Sequence, residues 1–223
     1  MSAGIPVLTI DGPSGSGKGT VSRAVARALG WHFLDSGAIY RSLAVATTRA
    51  GIAPEDVPAV TRLAEHMRLA FTADEPPRVL LDGIDIADQI ATETCGNIAS
   101  RVAALGPVRR ALLAKQQAFR HAPGLVADGR DMGTVVFTDA PFKVFLTASA
   151  EVRAVRRYKQ LKGKGLDVNL ADLTADIEAR DRRDRERAEA PLVAADDALL
   201  IDSSDLSADQ VIERVLALVR APV

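Results

Sequence analysis

Between Asp11 and Thr20 the chain reads DGPSGSGKGT, and no other stretch constrains the fold as strongly. Before it lies Ile5 to Ile10 (IPVLTI), a short β-branched run bounded by Gly and Pro, which reads as a buried strand. After it, Val21, Val25 and Leu29 recur at four-residue spacing, a helix whose stop signal is Gly30. Strand, glycine-rich turn and helix form the first unit of a parallel α/β sheet. Within the turn, Gly12-Pro13-Ser14-Gly15-Ser16-Gly17-Lys18 has the spacing G-x-x-x-x-G-K. Glycines there let successive backbone N–H groups converge on phosphate oxygens. The helix N-terminus adds its positive dipole end, and Lys18 reaches the outer phosphates. The usual pattern continues with Ser or Thr, whose hydroxyl helps hold Mg²⁺. Here Gly19 comes next and Thr20 one later, so Thr20 is the candidate hydroxyl near an ion that arrives with a nucleoside triphosphate.

The rest of the chain continues the alternation. Trp31 to Leu34 reads as a second strand, followed by Asp35-Ser36-Gly37 and a helix ending near Gly51, then a helix from Val57 to Met67. From Arg68 to Ile90 the pattern changes to short alternating pieces (RLAFT, RVLLDG, IDIAD) around Pro76-Pro77, which predicts a small antiparallel insertion. Two helices follow, the second opened by Pro107. Leu125 to Ala127, Phe142 to Thr147 and Ala198 to Ile201 read as the third, fourth and fifth core strands. Ser207 and Gln210 pair as a capping box at the start of the last helix. The organisation is one α/β core with two excursions.

Composition narrows the classes. Apolar residues are 48% and charged residues 26%, ordinary globular usage that excludes a disordered or collagen-like chain. A net charge of −1 supplies no global field toward nucleic acid or lipid. Cys95 is the sole cysteine, which excludes an intrachain disulfide and a cysteine metal cage. No run of about 18 apolar residues occurs, and the first ten residues lack a secretory pattern. The expectation is a cytoplasmic enzyme without a membrane or nucleic-acid partner.

The basic residues are 22 Arg against 6 Lys. Arg pairs bidentately with phosphate and carboxylate where Lys is a point charge. In RDRRDRER, Arg180, Asp184 and Arg187 stand at i, i+4 and i+7 and are expected on one helix face, with Arg182 and Arg185 elsewhere. Two cations around one carboxylate suit a phosphorylated sugar. Asp128-Gly129-Arg130-Asp131 closes the third strand, and strand carboxyl ends line the ligand crevice of open α/β sheets. Ser36 to Arg41 follows the second strand in the same way and directs Arg41 to that crevice. His32, His66 and His121 fall on different elements, so neither a His-centred triad nor a zinc site is expected.

Four segments, TIDGPSGSGKGT (Thr9 to Thr20), LDSGAIYR (Leu34 to Arg41), ADGRDMGTVVF (Ala127 to Phe137) and RDRRDRERAEAPL (Arg180 to Leu192), strongly resemble the bacterial cytidylate kinases, a branch of the P-loop nucleoside-monophosphate kinases. The G-K-G-T ending looks like that family's variant of the loop. Adenylate kinases share the loop but not the other three segments. The resemblance implies a five-stranded parallel core with helices on both faces, a monophosphate-binding lobe holding a small antiparallel sheet, and a lid. On this chain the core would be 1–35, 106–152 and 170–223, the lobe 36–105 and the lid 153–169.

It implies phosphoryl transfer from Mg-ATP to CMP, giving CDP and ADP, with dCMP as a second substrate. Gly12, Pro13, Ser14, Gly15, Ser16, Gly17, Lys18, Gly19 and Thr20 would bind ATP, with no protein cage for the Mg²⁺. Lys18, Arg130 and Arg157 would be catalytic, and the lid would carry Arg153, Arg156, Arg157 and the Lys162 to Gly165 turn. Arg41 and Arg130 would hold the acceptor phosphate, joined by Ser36, and Arg180 with Asp184 would face sugar and phosphate. Ser100, Arg109, Asp131 and Arg187 would read cytosine. Transfer between phosphates needs in-line positioning and charge neutralisation and little covalent help, which fits many Arg and no candidate general base. The rival readings are a P-loop kinase with a UMP or shikimate acceptor, and a nucleotide-binding switch. The switch needs a guanine-reading N-K-x-D run that the sequence lacks. Nothing in the sequence demands more than a monomer.

Overall fold

The computed structural model describes residues 4–71, 78–163 and 165–221. In chain order the elements begin with β1 (Val7–Asp11), α1 (Lys18–Leu29) and β2 (His32–Asp35). Then come α2 (Ser36–Arg49), α3 (Val57–His66), β3 (Leu69–Phe71), β4 (Val79–Leu81), β5 (Ile84–Asp85), α4 (Ala87–Ile90), α5 (Glu93–Val102) and α6 (Gly106–Gln117). The chain continues through β6 (Leu125–Gly129), a π-helical turn (Met132–Val136), β7 (Phe142–Thr147), α7 (Ala150–Lys162), α8 (Leu170–Glu186), β8 (Leu199–Asp202) and α9 (Ala208–Arg220). These form two compact units, one of residues 1–34 and 117–223 and one of residues 35–116.

The first unit is built on a five-stranded parallel sheet in the order β2-β6-β1-β7-β8. β1 sits at its centre, pairing in parallel with β6 (Ile10 beside Asp128) and β7 (Ile10 beside Val144). All five β1 residues are buried, as expected of a strand covered on both faces. Leu8, Ile10, Val126, Val144, Leu146 and Ile201 from the strands meet Val21 and Val25 of α1 and Val211 and Val215 of α9 in one apolar core. α1 ends where Gly30 adopts a left-handed φ of 66° and its N–H caps the last carbonyls. The capping box predicted at Ser207 and Gln210 is present in both directions. No helix among the described residues is long and apolar enough to cross a membrane.

In the second unit α2 packs against α3, α4 and α5, and β3-β4-β5 form the predicted antiparallel insertion. Two details differ from the sequence reading. IDIAD is not one extended piece: pairing ends at Asp85, whose carboxylate caps Ala87 N–H at 2.9 Å and turns the chain into α4. Past β6, where the pattern gives no helix, Met132–Val136 forms a π-helical turn. Thr72, Pro76-Pro77 and Lys164, which the sequence reading placed in the insertion and the lid turn, lie outside the described residues.

Candidate active site

The loop from Gly12 to Gly17 leaves the carboxyl end of β1 and enters α1. Gly12, Gly15 and Gly17 hold positive φ angles of 149°, 77° and 94°. At Gly12 the requirement is also steric: a Cβ there would lie 2.0 Å from the Leu146 carbonyl oxygen, inside the neighbouring strand. Gly17 is the N-cap of α1 and supplies no side-chain acceptor, so the helix end keeps its positive character for an anion. Lys18 folds back over the loop, donating from Nζ to the Pro13 carbonyl at 2.7 Å, and is only 5% exposed. Burial, and then the nearby Arg130 guanidinium, push its pKa down to about 7, against the pull of Asp128 and Asp11. Thr20 lies in the first turn of α1, and the Asp128 carboxylate at the end of β6 lies 3.5 Å from where a Cβ on Gly19 would stand.

Asp11, which the sequence reading passed over, organises the ground beneath this loop. Its two carboxylate oxygens accept the N–H groups of Met132 and Gly133, each at 2.8 Å. Those N–H groups open the π-helical turn, so the last residue of β1 holds the chain immediately after Asp131. Burial raises the Asp11 pKa to about 6 despite both hydrogen bonds. The available signal was position: an acidic residue at the carboxyl end of the central strand, directly before the first loop glycine.

The Arg130 to Asp131 segment and α8 converge. Arg130 donates from Nε to Asp184 Oδ2 at 3.0 Å and from Nη1 to the Gly129 carbonyl at 3.2 Å. Burial opposes the Arg130 charge, but Asp184 outweighs it and the pKa rises. For Asp184, burial is again overcome, by Arg130 first and Arg180 next, and its pKa stays low. Arg187 is the C-cap of α8: its φ of −62° is still helical and its N–H donates to the Arg183 carbonyl at 3.2 Å, while ψ of 140° turns the chain out after it. Its charge is among those that keep the Asp184 pKa low. Arg187 Nη2 lies 3.7 Å from Asp131 Oδ1, both side chains being buried, while its Nε donates to Ala190 O.

Residues of α7 diverge. Arg153 is buried and forms a forked pair with Asp181, with contacts of 3.1 and 2.5 Å. It also donates to Ala148 O and to Ser14 O of the loop, each at 2.9 Å. Arg156 donates to Ser203 O at 2.6 Å. Arg157 reaches Gln160 at 2.7 Å on an exposed part of the helix, and Lys162 pairs with Asp167 at 2.9 Å. Asp181 and Ser203 were not singled out from the sequence. His32 and His121, distant in sequence, meet edge-to-face with ring centroids 6.1 Å apart.

In the second unit, the Asp35 side chain caps α2 at Ala38 N–H, 2.9 Å away. Ser36 donates to Gln116 Oε1 at 2.8 Å, a buried pair spanning the length of the unit. Arg41 donates to the Ile90 carbonyl at 2.7 Å and the Thr92 carbonyl at 3.2 Å. Beneath it Cys95, itself buried, directs its thiol to the Arg41 carbonyl at 3.4 Å. Arg109 donates to Ala103 O at 3.0 Å with its guanidinium 5.6 Å from the Tyr40 ring centroid, and Ser100 is buried in α5. Tyr40 lies within LDSGAIYR but was given no role there, and the sequence carried no signal for Gln116 beyond its presence on a helix.

A phosphate-cradling loop, a buried lysine and an Arg–Asp cluster at adjacent strand ends form the chemistry of phosphoryl transfer. The family described as cytidylate kinase matches residues 8–221. This chain belongs to that family. It is 65% identical over 217 residues to the cytidylate kinase of Methylococcus capsulatus, covering 97% of this chain and 98% of that one. To the cytidylate kinase of Edwardsiella ictaluri it is 58% identical over 218 residues, covering 97% of each chain. To that of Pseudomonas entomophila it is 57% identical over 218 residues, covering 96% of each.

Proposed function

We propose that this enzyme transfers the γ-phosphoryl group of ATP to CMP, and to dCMP as a second acceptor, giving CDP or dCDP and ADP. The single observation that carries this reading is full-length membership of the cytidylate kinase family together with the loop and Lys18 geometry. The Gly12 to Thr20 segment would hold the triphosphate, with backbone N–H groups and the α1 N-terminus facing its oxygens. Lys18 would leave Pro13 O and follow the charge that builds on the moving phosphoryl group. Binding the polyanion would restore the ammonium that burial disfavours.

Mg²⁺ would enter with ATP, and its chemistry is to neutralise phosphate charge. The Thr20 hydroxyl and Asp128 carboxylate are hard oxygen donors of the type that ion takes, which fits such a group at the loop. Arg130, held in orientation by Asp184, would bind the acceptor phosphate, with Arg180 and Asp184 toward sugar and phosphate. Asp131 would accept from the cytosine amine, and its neighbour Arg187 would serve acceptors on the ring. Ser36, Arg41, Ser100 and Arg109 are carried into the proposal by the resemblance, as are Arg157 and the 153–169 lid that would exclude water as a competing acceptor. A cytoplasmic monomer completes the reading.

The test is an acceptor panel: ATP with CMP, dCMP, UMP, AMP and shikimate, products separated chromatographically. CDP and dCDP are expected. Slow ATP hydrolysis without any phosphorylated acceptor would instead make the chain a switch.

A further inference from the structure

We infer that Arg153 is a positioning residue for the donor triphosphate, acting through the phosphate loop from behind. The lid reading places this arginine where it could meet substrate, but its side chain is 2% exposed. Its fork is closed by Asp181, and Nη1 also takes the carbonyl of Ser14, in the middle of the loop, at 2.9 Å. The consequence follows from the planarity of the peptide group. In a trans peptide the C=O of one residue and the N–H of the next point in opposite directions. Fixing Ser14 C=O toward Arg153 therefore turns Gly15 N–H the other way, out from α7.

The pattern repeats two residues on. Ser16 C=O lies 3.3 Å from Ser203 Oγ, a hydroxyl it shares as acceptor with Thr147 O at 3.0 Å, and to the extent that it takes this proton Gly17 N–H is turned away from Ser203. Ser203 is itself held by Arg156, through Nη2 to Ser203 O at 2.6 Å and Nη1 to its Oγ at 3.2 Å. Gly15 and Gly17 are two of the residues at positive φ, so left-handed conformers and pinned carbonyls alternate along the loop. A Cβ on Gly15 would lie 3.2 Å from Arg153 Cβ, so the loop rests directly on this part of α7. Two carbonyls held from behind preset two N–H groups for an anion in front. That removes reorganisation the loop would otherwise undergo on binding. Asp181 keeps the fork in register, because a buried guanidinium with its carboxylate removed would have to seek water.

This inference rests on the reading that the loop binds the triphosphate. The experiment is calorimetric titration of the full chain with Mg-ATP and, separately, with CMP, alongside thermal melting. Arg153→Lys keeps the charge and loses the fork. It is expected to raise the ATP dissociation constant about tenfold, the scale of one charge-assisted hydrogen bond, and to leave that for CMP within about twofold. Ser203→Ala removes only a hydroxyl and should raise the ATP constant about threefold, and it decides the question if Arg153→Lys fails to fold. Unchanged ATP affinity in the folded variants overturns the inference. So does a matched weakening of ATP and CMP that merely follows lost stability. A wild-type chain that binds no ATP would overturn the loop reading instead.

Discussion

Lys18 is held in the fold at a cost that its removal should reveal. Its ammonium is 5% exposed and has one short hydrogen bond, to Pro13 O. Burial and Arg130 pull its pKa from 10.5 to about 7, further than Asp128 and Asp11 pull it back. At about 1.4 kcal/mol per pH unit, that drop corresponds to roughly 5 kcal/mol against the folded state at neutral pH. Lys18→Met keeps most of the side-chain volume but leaves Pro13 O without its donor, a loss of about 1–2 kcal/mol. The variant should therefore gain on the order of 3 kcal/mol, which for a chain of this size raises Tm by roughly 6–10 °C. The pH dependence follows in sign. Between pH 7 and 10.5 the unfolded lysine keeps its proton and the folded one loses it, so wild-type stability rises with pH across that window. Lys18→Met should lose most of that rise, the remainder belonging to Lys115, whose pKa burial also lowers. Differential scanning calorimetry without nucleotide, at pH steps from 7 to 10, reads both quantities. The same variant should lose at least about a hundredfold in kcat, since the charge on the moving phosphoryl group loses its partner. A variant that melts below wild type, or that keeps the alkaline rise, would refute the assignment of that cost to Lys18.

Three further outcomes are expected. Asp131→Asn gives the base-reading position an NH₂ donor; at roughly 1–3 kcal/mol for an unpaired buried group, kcat/KM for CMP should fall and the CMP-to-UMP ratio should shrink tens-fold. An unchanged ratio would return Asp131 to a turn-forming role. Asp11, raised to about 6 from 3.8, holds a proton in the fold that the unfolded chain has released, so its contribution to stability falls as pH rises through that interval. Urea unfolding should show the stability difference moving toward Asp11→Asn by roughly 2 kcal/mol between pH 4 and 6.5. Gly12→Ala places a methyl on the Leu146 carbonyl and should cost more than about 3 kcal/mol, so a variant melting with the wild type would contradict the packing described.

What could be read in the sequence was what neighbours in the chain decide. The strand–loop–helix unit, the Gly30 stop, the Ser207–Gln210 box and the antiparallel insertion each rest on residues within a few positions of one another, where periodicity and capping rules act. What escaped rests on tertiary partners. Arg153 reads only as one of the lid arginines until Asp181 and Ser14 close around it. Asp11 reads as the first turn residue until Met132 and Gly133 claim both its oxygens. Those two hydrogen bonds also accompany the unforeseen π-helical turn, since they fix the N–H groups that open it. Helical spacing could carry Arg187 to the end of α8 but could not reveal Asp131 as its neighbour. In the second unit, Ser36 could be noticed but its partner Gln116 could not.

Cys95 gives the second unit a built-in clock. The chain has a single thiol, and it is enclosed between α2 and α5 with Arg41 O as its partner. With Cys95 6% exposed, a thiol-reactive dye reaches it freely when those helices part, so the labelling rate rises with that opening. Arg41 spans the same seam to the Ile90 and Thr92 carbonyls. Whatever draws that guanidinium away, or braces it, will therefore be recorded as a change of tempo at one sulfur atom.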